Sequence, residues 1–146
     1  MTGADTITSS PIKRRRPKLV WVITVFYFIS AGWTLLSFAL IYSGITPLNA
    51  AQVVYFKSQT IFDIFFTIVI GALNFMGAIF LFFLRRTAFH LFLSAFILSI
   101  LMVVYHILSK DWLAAIGGPG LIGIIIGWTI SVAVILYTRK LIKHDI

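Results

Sequence analysis

No cysteine occurs in the 146 residues, which removes disulfides, thiolate metal sites, palmitoylation and thiol redox chemistry together. Acidic side chains are almost as scarce: the chain has four aspartates and no glutamate. It also contains no glycine-rich phosphate loop, no H-E-x-x-H and no nucleophile elbow, so it reads as non-enzymatic and as needing no cofactor. Charged residues make up only 11% of the chain against 60% hydrophobic residues. A soluble domain has no means of hiding that much apolar surface.

What is present is four long apolar runs, each long enough to cross a bilayer as a helix. The fold class is therefore an all-α integral membrane protein, an antiparallel bundle of four transmembrane helices. The formal net charge of +8 raises nucleic-acid binding as an alternative, but the charges sit beside helix ends and not on a globular surface. Lys13, Arg14, Arg15, Arg16 and Lys18 precede the first run, Arg85 and Arg86 join the second to the third, and Arg139, Lys140 and Lys143 follow the fourth. Only Lys57 and Lys110 fall in the other two loops. The positive-inside rule accounts for this and puts both termini in the cytoplasm. The first run lacks a cleavage pattern and reads as a retained helix of a bacterial inner (plasma) membrane protein.

The expected organisation is a disordered basic tail over 1–18, helices over about 19–42, 60–84, 88–108 and 119–138 within a membrane domain of 19–138, and a basic C-terminus over 139–146. Arg85-Arg86-Thr87 is so short a connection that the second and third helices form a tight hairpin. In the first outer loop, Thr46-Pro47 reads as a helix start. Either a short interfacial helix or an ordinary loop suits the stretch to Lys57.

At 100° per residue, Asp63, Thr67, Gly71, Asn74 and Ala78 fall within an arc of about 80° on the second helix. Gly120, Gly123, Gly127, Ser131 and Thr138 make a comparable stripe on the fourth. Small residues permit close backbone approach, so Gly71, Gly123, Gly127 and Ser131 are expected helix-packing positions, inside one chain or between two copies. Asn74 lies eleven residues from Arg85, about 16 Å along a helix and near mid-membrane. It reads as hydrogen-bonding glue between helices, with Ser30, Thr34, Ser37 or Ser131 as partners, or else as the lining of a path.

Asp63 is the single acidic residue within a span, twenty-two residues before Arg85, which places it about 33 Å away at the outer interface. His106 lies twenty residues beyond Arg86, about 30 Å, and reaches a similar level on the third helix. The two form a candidate polar network with Asn74. A structural cap, a proton-responsive latch and two unrelated interfacial residues are all compatible with the pair. His90 and His106 are about 24 Å and about 160° apart on one helix, which argues against joint haem ligation. His90 and His144 lack further ligands for a metal.

The leading functional expectation is a small membrane protein that works through protein contacts, as an accessory subunit, a stabilising partner or an immunity-type factor. Its partners are the lipid bilayer and other membrane proteins or a second copy of itself, and not nucleic acid. The alternative is a small dimeric transporter or channel with a polar path around Asn74, Asp63 and His106. A lipid-interacting role rests on the aromatic load and the basic faces.

Overall fold

A computed structural model describes residues 17–110 and 112–145. The expected disordered tail lies outside the described residues except for Pro17 and Lys18. The described chain is helical: α1 (Lys18–Tyr42), α2 (Ala50–Lys57), α3 (Ile61–Phe82), α4 (Thr87–Ser109) and α5 (Trp112–Asp145). Four of these, all but α2, are long and apolar enough to cross a membrane.

The helix ends follow from local chemistry. The segment after the first apolar run forms the short helix α2, which begins later than Thr46-Pro47 suggests. Asn49 is its cap, and the Asn49 side chain and Gln52 satisfy each other's backbone N–H groups as a capping box. The chain leaves α3 through Leu84 at φ 55°, a left-handed conformation costing about 1–2 kcal/mol for a residue with a side chain. That turn lets the Arg85 N–H reach the Phe80 carbonyl at 2.8 Å, and Leu84 is held in it by packing against the core.

α5 differs most from the expected loop followed by a helix. It starts at Trp112, runs one turn, breaks at Gly117 (φ 61°, ψ −170°) and resumes through Pro119. Only glycine adopts Gly117's conformation without strain. Beyond the break α5 continues to Asp145, so the basic C-terminal residues extend a helix and do not form a separate tail.

α3 and α4 pack most extensively, α1 lies on α3, and α4 and α2 lie on α5. The core gathers at the end nearest the arginines. Val20, Ile23 and Tyr27 of α1 meet Ala78 and Leu81 of α3, Ala88 and Phe92 of α4, and Val134, Ile135 and Leu141 of α5. Phe92 is the hub: it is 2% exposed, and its ring centroid lies 5.1 Å from that of Tyr27.

Within this one chain, three of the four small-residue positions meet no neighbouring helix. Gly71, Gly123 and Gly127 are exposed, and a Cβ at any of them meets nothing within 4 Å. Close approach occurs instead at Gly77, where a Cβ would stand 3.1 Å from the Phe92 ring. A glycine permits contact, but contact arises only where a facing side chain fills the space. Ser131 alone of the four stands at an interhelical contact, beside the Tyr27 hydroxyl, while donating to its own Gly127 carbonyl at 2.9 Å. Gly77→Val therefore lowers thermal stability in detergent by about 1–3 kcal/mol through overpacking. Gly71→Val, which carries the same helix-propensity change, serves as the control and loses about 0.5 kcal/mol or less.

Candidate functional site

The strongest polar chemistry lies at the end away from the arginines. It starts with the first turn of α3: Thr60 is the N-cap and Asp63 the third helical residue, the spacing of a capping box. The Thr60 N–H donates to Asp63 Oδ2 at 2.7 Å, and the Thr60 hydroxyl to the same oxygen at 2.9 Å. The carboxylate also suits the positive end of the α3 dipole. An acidic cap of this kind is ordinarily wet. Here Asp63 is 1% exposed.

Two cationic or polar side chains from the end of α4 close over it. His106 Nε2 lies 3.2 Å from Asp63 Oδ1, and because a carboxylate only accepts, Nε2 carries the proton. Lys110, the residue that ends α4 in extended conformation, donates its ammonium to Asp63 Oδ2. The same ammonium donates to the Ser58 carbonyl, the C-cap of α2, at 2.9 Å. One lysine thus fastens the ends of α2, α3 and α4 together. A charge-assisted hydrogen bond is about twice as strong as a neutral one, and the Lys110 side chain is only 9% exposed.

Aromatic rings stand against the His106 side of this cluster. His106 has Tyr55 of α2 edge-on at 5.9 Å and Trp112 of α5 stacked at 6.4 Å. Burial pushes the Tyr55 phenol above its ordinary 10.0, against the opposing influence of Gln59 and Lys110, so it remains a neutral hydroxyl at physiological pH. Gln59 keeps one buried carbonyl oxygen without a hydrogen-bond donor among the described residues. A cleft of about 360 Å3 flanks the cluster, between Tyr55 and Ser58 on one side and Ser109, Lys110 and Ala114 on the other.

The structure brings Asp63 and His106 together and leaves Asn74 apart. Asn74 is half-buried, eleven residues from Asp63 along α3 and so about 16 Å away. Two of its expected hydroxyl partners turn to their own helices: Thr34 donates to the Ser30 carbonyl at 2.9 Å and Ser131 to Gly127. Such back-bonding within a helix is the usual fate of serine and threonine in apolar surroundings. Sequence reasoning missed Lys110 and Thr60 as members of the cluster. Thr60 left a signal in its spacing three residues before Asp63, whereas Lys110 stands beyond the last residue of α4 in extended conformation and left none.

Chemically, Asp63 and Lys110 balance each other, so the cluster is neutral while His106 is neutral and gains one positive charge if His106 is protonated. This arrangement clamps three helix ends. Among the described residues no three histidine or acidic side chains gather as metal ligands. No known protein family, curated protein or solved structure matches the chain.

Proposed function

We propose that this chain is a non-enzymatic multi-pass protein of a bacterial inner membrane, an antiparallel four-helix bundle with both termini cytoplasmic, that acts by binding another membrane protein. An accessory subunit, a stabilising partner and an immunity-type factor are the forms this takes. The observation that carries the reading is the state of α5. Only 11% of its most apolar stretch is buried, against 17% for α1 and α3 and 22% for α4, and its Gly123 and Gly127 backbone lies uncovered. Lipid supplies no hydrophobic drive between helices, so tight association in a membrane depends on backbones that can approach closely. α5 presents such a backbone to the outside of the chain.

The polar cluster supports the same reading by its geometry. Asp63 spends its acceptors on Thr60, His106 and Lys110, and about 16 Å separates it from Asn74. A dimeric transporter with a path through Asn74, Asp63 and His106 is the second reading. It requires the cluster to open.

The test is gentle extraction from the native membrane followed by native mass spectrometry. The proposal expects a stoichiometric foreign protein, lost on Gly127→Leu while the melting temperature of the purified chain stays unchanged. Recovery of the chain as a lone monomer contradicts it. A bare homodimer favours the transporter reading.

A further inference from the structure

The polar cluster sets two nitrogen donors of different kinds on one buried carboxylate. Asp63 Oδ2 accepts from the Lys110 ammonium and from Thr60, while Oδ1 accepts from His106 Nε2 at 3.2 Å. With Nε2 donating, the imidazole is neutral, and it becomes a cation by taking a proton at Nδ1. The His106 side chain is 10% exposed and stands three residues before the end of α4 at Ser109, within reach of water at the interface.

What faces His106 decides what that charge meets. Asp63 comes from α3, Lys110 from the end of α4 and the neutral Tyr55 hydroxyl from α2. Tyr105 lies beside it on α4, and α5 presents the uncharged indole of Trp112. Asp111, next in sequence to Lys110, lies outside the described residues. A protonated His106 therefore stands near the Lys110 ammonium with one carboxylate between them. That carboxylate is 1% exposed and needs a single counter-ion, so a second cation adds like-charge repulsion where water screens it poorly.

The two cations differ in freedom. His106 is fixed on α4 between the Tyr55 and Trp112 rings. Lys110 stands past the last turn in extended conformation, its neighbours Ser58 and Ser109 are exposed, and its flexible stem can carry the ammonium out to water.

We infer that His106 and Lys110 are alternative counter-ions of Asp63, and that acidification exchanges one for the other and releases α2. Asp63 stays ionised and the cluster stays neutral in both states, paired with Lys110 at higher pH and with protonated His106 at lower pH. What changes is the tie. The ammonium joins the Ser58 carbonyl to Asp63, so its departure unfastens the end of α2 from α3. The cleft of about 360 Å3 lined by Val54 of α2 and Ala114 of α5 then loses its latch.

A spin label on α2 tests this. The chain has no cysteine, so Val54→Cys, at a position 63% exposed, carries a single nitroxide. In the full chain in lipid nanodiscs, its spectrum is expected to pass from restricted to mobile between about pH 8 and about pH 5, the range over which imidazole side chains change charge. His106→Gln keeps an N–H donor for Asp63 without titrating, and its label stays restricted throughout. Asp111→Asn behaves as the native chain does. Thermal melting gives a second measurement that needs no label. The gap in melting temperature between the native chain and Lys110→Met is expected to narrow as the pH falls across the same range, because protonated His106 takes over as counter-ion. In the His106→Gln background that gap stays constant. A label equally restricted at both ends of the range overturns the inference, as does a transition that survives His106→Gln or disappears in Asp111→Asn. A melting gap that does not change with pH overturns it as well. Neither readout involves a partner on α5, so the two proposals stand or fall separately.

Discussion

Replacing Lys110 by methionine lowers the stability of the detergent-solubilised protein by about 3–5 kcal/mol, the usual cost of removing one partner from a buried ion pair. The carboxylate it leaves behind is 1% exposed and keeps only Thr60 and His106 as donors. The attachment of α2 weakens as well, because the ammonium also holds the Ser58 carbonyl at 2.9 Å.

Asp63→Asn in the Lys110→Met background removes the uncompensated charge and recovers part of the stability. Thermal melting of the two single variants and the double variant gives the coupling energy directly. Additive losses contradict a contact between Asp63 and Lys110. A Lys110→Met loss below about 1 kcal/mol, the range of exposed pairs, shows that the carboxylate is wet and the clamp absent.

Phe92→Ala produces the second large effect, a loss of about 3 kcal/mol, the lower end of the range for phenylalanine truncation. Phe92 is 2% exposed, lies against Gly77 and Tyr27 and belongs to the cluster where α1, α3, α4 and α5 meet. In a lipid setting the loss comes from forfeited dispersion contacts more than from transfer out of water, which places it at the low end. Denaturant melts of Phe92→Ala and Phe92→Leu check this. The leucine variant, with most of the volume retained, loses clearly less. Equal losses for the two, or no loss for alanine, contradict tight packing at Gly77.

The four long apolar helices were legible because length and composition alone identify a segment able to cross a membrane. Depth was legible too. A fixed rise per residue puts Asp63 and His106 at one level once the arginines are set at another, and the structure places them 3.2 Å apart. Facing neighbours were not legible. Gly71 and Gly77 look alike in sequence, yet only Gly77 meets a ring, since what a helix face touches depends on the rotation of its neighbour. In sequence Lys110 is only a loop charge, because its role depends on the extended turn after α4, which swings the ammonium back across the start of α3. The break at Gly117 sat within the glycine and proline run, but the turn of helix before it carries too few residues to announce itself by periodicity.

The proposed binding of another membrane protein rests on the uncovered face of α5. The chain has no cysteine, so Gly127→Cys gives a single thiol on the uncovered face of α5, in a position where added atoms meet nothing within 4 Å. A thiol-anchored photo-crosslinker at that position, activated in native membranes, should yield one dominant adduct whose added mass belongs to a different membrane protein. The same reagent at Gly71→Cys on α3 serves as the control and should not enrich that partner. Adducts to lipid alone, or only to a second copy of this chain, overturn the proposed partner binding.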